Sequence, residues 1–203
     1  MPPASPPIAG AILCGGAARR FGGQPKGLAL VGGRRILDQL VGAFETAFGR
    51  EPVLISSVAG ADKWSPGLQV IPDLLPGTGV LGGLLTAVER APAPVVVVAW
   101  DMPFVPPDLL RDLADLLFSS EADVSVPESP GPRGIEPLCA AYGPRCAQPI
   151  RQAILEGRRE AVAFHDAVRV SRLPVAAVRR HGPPERLFFN INTPSDLNQA
   201  EEH

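Results

Sequence analysis

At 203 residues, with 45% hydrophobic and 20% charged residues, the chain has the length and make-up of one α/β domain with a core of its own. A formal net charge of −2 leaves no basic footprint for a nucleic-acid backbone. Cys14, Cys139 and Cys146 are odd in number and form no C-x-x-C pair, and His165, His181 and His203 are scattered, which argues against a disulfide framework and a zinc site.

Ile8 to Leu13 reads as a buried strand running into a glycine-rich loop, Gly15 to Lys26. Arg34 to Phe48 carries apolar residues at helical spacing, and Pro52 to Val58 and Gln69 to Pro72 read as strands, the latter ending at Asp73. Val80 to Arg90 reads as a helix. Val95 to Trp100 is an uninterrupted apolar run, as expected of a strand buried on both faces and far too short to span a bilayer. Pro106-Pro107-Asp108 opens a helix with Leu109, Leu110, Leu113, Leu116 and Leu117 on one face. Asp123 to Val126 and Glu136 to Tyr142 read as strands, and Pro149 to Glu156 as a helix with Gly157 near its C-cap. Arg172 to Val178 and Leu187 to Ile191 read as late strands. Thr193-Pro194-Ser195-Asp196 starts the last helix, with Thr at the N-cap and an acid at N3. The alternation predicts an α/β, Rossmann-like three-layer fold, with a mostly parallel central sheet and residues 1–203 forming one domain. In such sheets ligands bind beyond the C-terminal strand ends. The glycine loop, Asp73 and Asp101 all follow predicted strands, so they are expected on one rim. The proline-rich start, Met1 to Pro7, lacks the basic region of a signal peptide, so the expected location is cytoplasmic.

Three signals carry chemistry. In the loop, Gly15, Gly16, Gly22 and Gly23 let backbone amides approach phosphate oxygens, while Arg19, Arg20 and Lys26 supply positive charge. No Gly-Lys-Ser/Thr follows, and the spacing is not G-x-G-x-x-G, which weakens ATPase and dehydrogenase readings. A flexible basic surface loop is the alternative. Asp101, at the end of the Val95 to Trp100 run, suits Mg²⁺, which takes one or two carboxylates plus substrate oxygens. The alternative, for Asp101 as for Asp73, is a turn-forming aspartate. Asn190 and Asn192, one residue apart on the expected strand, would point the same way toward a polar ligand. Alternatively, Asn192 and Thr193 only shape a turn.

In order, these pieces resemble the MobA-type molybdenum cofactor guanylyltransferases over nearly the whole chain. Leu13-Cys14-Gly15-Gly16 with Arg19, Phe21-Gly22-Gly23 and Lys26-Gly27-Leu28 is similar to the family's opening signature. Ile71-Pro72-Asp73 with Gly79-Val80-Leu81-Gly82-Gly83, then Asp101-Met102-Pro103-Phe104, follow it. Glu136-Pro137-Leu138 with Tyr142, then Asn190-Ile191-Asn192-Thr193-Pro194, complete it. The resemblance implies transfer of GMP from GTP to the terminal phosphate of molybdopterin, with pyrophosphate released. It implies nucleotide contacts from Leu13, Cys14, Gly15, Gly16, Lys26, Asp73, Gly79, Leu81, Gly83 and Asp101. It also implies Mg²⁺ on Asp101, stabilisation of the leaving pyrophosphate by Arg19 and Lys26, and acceptor contacts from Asn190 and Asn192. Protein partners would be cofactor-inserting proteins or molybdoenzymes. Three departures stand out: Cys14 for alanine, Ile55-Ser56-Ser57 without an asparagine, and Glu136 for histidine. A molybdopterin cytidylyltransferase, a sugar-1-phosphate nucleotidyltransferase and a non-catalytic nucleotide-binding module remain open, because fold alone does not settle function.

Overall fold

The computed structural model describes residues 7–15 and 25–201. Gly16 and Arg19, with the rest of residues 16–24, lie outside the described residues, as does His203.

The described chain runs β1 (Ala9–Leu13), β2 (Leu30–Val31), β3 (Arg34–Arg35), α1 (Ile36–Phe48), β4 (Val53–Ile55), β5 (Val70–Ile71), α2 (Val80–Arg90) and β6 (Val95–Ala99). It continues through α3 (Pro107–Ser119), β7 (Val124–Pro127), β8 (Cys139–Tyr142), α4 (Ala147–Leu155), β9 (Val170–Leu173), α5 (Val175–Val178), α6 (Pro184–Leu187) and α7 (Pro194–Glu201). Seven strands form one sheet in the order β5-β4-β1-β6-β8-β7-β9. Only β8 runs against the others, pairing antiparallel with β6 and β7, while β1 pairs parallel with β4 and β6. The expected α/β, mostly parallel architecture is therefore present.

The register of β6 explains its composition. Val96 and Val98 pack toward α1 and α3, among Ile12, Phe44, Leu109 and Leu113. Val95 and Val97 pack toward α2 and α4, among Leu84, Leu85, Val88 and Ile150. A strand covered by helices on both faces has no solvent side, so alternation gives way to a continuous β-branched run. Because β1, β4, β5 and β6 are parallel, their C-terminal ends lie on one rim, where Leu13 ends β1 and Asp73 and Asp101 follow β5 and β6.

Several expected boundaries move. Arg34 and Arg35 belong to a β2–β3 hairpin rather than to α1; its two-residue turn is Gly32-Gly33, both at positive φ (58° and 74°). Arg172 to Val178 is not one strand. β9 ends at Leu173, and Pro174 opens α5, its carbonyl accepting from Ala177 N and Val178 N. Leu187 to Ile191 is not a strand either. Pro184 sits in the first turn of α6 with its φ already helical, and Leu187 closes that helix. Leu187, Phe188 and Ile191 are buried because their spacing sends them back onto the α1–α3 core. Glu136 to Leu138 form a turn, with Cys139 N bonding Glu136 O, so β8 starts at Cys139.

Candidate active site

β1 delivers the first site residues. Leu13 ends the strand, Cys14 N donates to Ile55 O at 2.9 Å, and Cys14 O accepts from Ser56 Oγ at 3.1 Å. The Cys14 thiol is fully buried, and that burial pushes its pKa far above the usual thiol range. It is packing, not a nucleophile.

Asp73 follows β5 and is held by a reciprocal pair: Ser57 Oγ donates to Asp73 Oδ2 at 3.1 Å, and Asp73 N donates to Ser57 Oγ at 2.9 Å. Ser56 and Ser57 thus fix β1's end and Asp73. The next loop is tied to α2, since Leu74 N donates to Thr86 Oγ1 and Thr78 Oγ1 to Leu75 O. Gly79, at φ 70° and ψ −147°, begins α2 in a conformation that side chains avoid. Among the described residues no side chain caps α2, and its first turn carries no acid, so its positive end can face an anion. A Cβ at Gly83 would lie 3.5 Å from Leu13 and 3.6 Å from Asp73 Oδ1, so Leu13, Asp73 and Gly83 converge. Leu81, by contrast, is fully buried in the core beneath.

Three distant motifs meet at Lys26. Its Nζ donates to Asn192 Oδ1 at 2.7 Å and lies 3.7 Å from Asp101 Oδ2. The Asn192 segment is brought there by Ile191 N, which donates to Asp101 O at 2.9 Å. The Asp196 carboxylate, accepting from Asn192 N and Thr193 N, fixes the turn as the expected α7 cap. Asn190 does not pair with Asn192 as expected of a strand: its Nδ2 donates to Phe188 O. Asn192 therefore stands with the lysine and the aspartate.

Burial raises the Asp101 pKa, and the Lys26 ammonium opposes that. Asp101 Oδ1 is buried and has no hydrogen-bond partner among the described residues. An unbonded carboxylate oxygen, with the amide oxygen of Asn192 reaching the same ammonium, is a donor set suited to a hard divalent cation completed by phosphate oxygens and water. Glu136 is also raised, chiefly by burial and further by the negative charge of Asp101, partly offset by the Leu138 N–H that it accepts and then by Arg133. It lines a cleft of 320 Å³ with Val80, Leu138, Arg133 and Arg159. Arg159 belongs to no motif noted in the sequence; its guanidinium reaches Gly77 O at 2.6 Å, beside the loop that starts α2. A larger groove of 570 Å³ meets this rim at Asp73 but runs away from it, over Val53 and Val70 to Arg90 and Pro92.

The MobA-like NTP transferase domain matches residues 10–170. The chain belongs to that family. It is a nucleotidyltransferase. It is 35% identical to the probable molybdenum cofactor guanylyltransferase of Pelotomaculum thermopropionicum, over 94% of this chain and 90% of that one. It is 33% identical to the molybdenum cofactor guanylyltransferase of Mesorhizobium japonicum, over 95% and 94%. The structure of molybdopterin-guanine dinucleotide biosynthesis protein A from Archaeoglobus fulgidus superposes with a TM-score of 0.82 at 30% identity, over 96% and 97%. The MobA-type resemblance read from the sequence is thus borne out. No helix among the described residues is long and apolar enough to cross a membrane.

Proposed function

We propose that the chain transfers GMP from GTP to the terminal phosphate of molybdopterin, forming molybdopterin guanine dinucleotide and releasing pyrophosphate, in the cytoplasm. The observation that carries this reading is the meeting of Lys26, Asp101 and Asn192 around one ammonium. Relatives named guanylyltransferases at 33–35% identity support the choice of base and acceptor.

The reaction is an in-line displacement. An acceptor phosphate oxygen forms a bond to the α-phosphorus while the bond to the β-phosphate oxygen breaks, and pyrophosphate leaves. The acceptor is already anionic, so no general base is needed, and positioning with charge stabilisation is the enzyme's task. Leu13, Asp73 and Gly83 receive the nucleoside, Gly15 and the uncapped start of α2 face the phosphates, and Lys26 neutralises charge on the leaving group. Mg²⁺ held by Asp101 would supply Lewis-acid polarisation of the α-phosphate. Asn192 acts with Lys26 and Asp101. The cleft bearing Glu136, Arg133 and Arg159 suits an anionic acceptor. Receiving partners would be proteins that insert the finished cofactor, or the molybdoenzymes themselves.

The test is pyrophosphate release from purified protein with Mg²⁺, molybdopterin and each of the four NTPs in turn. Release with GTP alone is expected. Release with CTP alone would transfer the protein to the cytidylyl branch. GTP binding with no release under any NTP would refute the transfer.

A further inference from the structure

Trp100 lies between the site's parts. In the sequence it is only the last residue of an apolar run, but its indole touches both flanks of the glycine loop. Its Nε1 donates to Gly15 O at 3.1 Å. Its ring lies flat enough on Gly27 that a Cβ there would come within 2.4 Å of Trp100 Cε3. Its backbone N donates to Leu13 O at 3.2 Å, and the next residue is Asp101. On its other side Trp64 packs with a ring-centroid distance of 5.0 Å and an interplanar angle of 30°. Both tryptophans are buried, at 3% and 7% exposure. These two are the protein's only tryptophans, and both are spent here.

A buried indole needs a partner for its N–H, and any carbonyl would satisfy it. Here the acceptor is the carbonyl of Gly15, the residue that the proposed function sets against the phosphates. Fixing that carbonyl fixes the orientation of Gly15 just beyond the end of β1. The face of the same ring sets the depth of Gly27 and therefore where the Lys26 side chain starts. A smaller residue at position 100 would leave both flanks unset.

We propose that Trp100 is a positioning residue for the nucleotide: it holds Gly15 and Lys26 at a fixed separation and in register with Asp101. The proposal rests on the reading that nucleotide binds at Gly15 and Lys26. It extends that reading to a side chain that touches no substrate.

The experiment measures equilibrium affinity for GTP and steady-state pyrophosphate release with the full chain. The variants are Trp100→Phe, Trp100→Leu, Gly27→Ala and the Trp100→Leu/Gly27→Ala pair. Trp100→Phe keeps a ring on Gly27 and loses only the bond to Gly15 O. It is expected to weaken GTP binding about three- to tenfold, the range of one such hydrogen bond, with KM for molybdopterin unchanged. Gly27→Ala is expected to weaken GTP binding at least as much in the native background, but less than twofold when Trp100 is already leucine, because the methyl then has room. Trp64→Phe leaves Trp100 as the sole tryptophan, whose emission, excited at the red edge of its absorption, should shift on GTP binding. Trp100→Phe with GTP affinity within twofold of the native protein would overturn the proposal. So would KM rising equally for both substrates alongside a lower Tm, the signature of mere packing. Native protein that binds GTP but releases no pyrophosphate would refute the transfer reaction while leaving these affinity ratios measurable.

Discussion

Gly82 and Gly83 are neighbours on α2, yet the structure gives them opposite roles. A Cβ at Gly82 would lie 2.2 Å from Thr78 Oγ1 and 2.9 Å from Leu75 O. Thr78 can rotate away at the cost of its bond to Leu75 O, but the Leu75 carbonyl is backbone and must move with its loop. Overpacking of this kind costs about 1–3 kcal/mol, against which alanine regains up to about 1 kcal/mol of helix propensity. A Cβ at Gly83 meets its neighbours at ordinary van der Waals distances, 3.5 Å or more. Gly83→Ala should therefore keep or raise stability by about 0.5–1 kcal/mol, a Tm rise of roughly 1–4 °C for a chain of this size. The added methyl would stand between Leu13 and Asp73, where the nucleoside is placed, so KM for GTP should rise about tenfold. Gly82→Ala should instead lower Tm, by up to roughly 8 °C for a net loss of up to about 2 kcal/mol, as the loop after Asp73 shifts. Thermal melts and initial rates on the two variants separate the cases. A Gly83→Ala protein with native KM for GTP would refute the placement of the nucleoside against Leu13, Asp73 and Gly83. A Gly82→Ala protein as stable as the native one would refute the packing argument.

Asp101→Asn keeps the shape and removes the charge; Mg²⁺-dependent turnover should fall about 10²–10³-fold while the melting curve stays cooperative, and near-native rates would remove Asp101 from the metal's ligand set. Ser57→Ala removes both bonds that hold Asp73, so GTP affinity should fall about two- to tenfold with kcat little changed, as titration calorimetry and initial rates would show. His165 is half-buried, its buried Nε2 has no hydrogen-bond partner among the described residues, and desolvation lowers its pKa despite the opposing charge of Asp166. Below the ordinary histidine pKa of about 6.5 the unfolded chain takes up this proton more readily than the folded one, so its stability contribution is full above that pH and falls as pH drops toward the folded pKa. His165→Phe should flatten the dependence of denaturation midpoint on pH across that window, and an unchanged slope would count against it.

Much of the fold could be read from the sequence, because the informative patterns are local. The β-branched run Val95–Ala99 announces a strand with two covered faces, and Pro107 and the leucines behind it announce α3. The Thr193–Asp196 cap is equally local, closed by Asp196 N donating to Thr193 Oγ1. The late segments misled because Val175, Val178, Leu187 and Ile191 favour strands by composition, while Pro174 and Pro184 decide the backbone. The Gly32-Gly33 hairpin could have been found, since two glycines between Leu30-Val31 and Arg34-Arg35 are a turn signal.

The candidate site divides along the same line. Each motif was legible, but what joins the motifs was not. Lys26 and Asn192 are 166 residues apart, and their contact depends on Ile191 N finding Asp101 O, a backbone bond that leaves no trace in side-chain identity. The strand expected at Leu187 to Ile191 would have aimed Asn190 and Asn192 together at an acceptor. The turn that actually forms folds Asn190 onto Phe188 O and gives Asn192 to the lysine. A backbone error of one element thus hid the contact between Asn192 and Lys26. Arg159 shows the converse. It sits in a connector with no regular structure, and its place beside Gly77 follows from packing of α4 on α2, not from any spacing. Residues that act through such long-range contacts become visible only once the sheet order is known. For this chain that order sets β1 directly between β4 and β6, so the strand ends that lead to Gly15, to Ser57 and to Asp101 lie side by side.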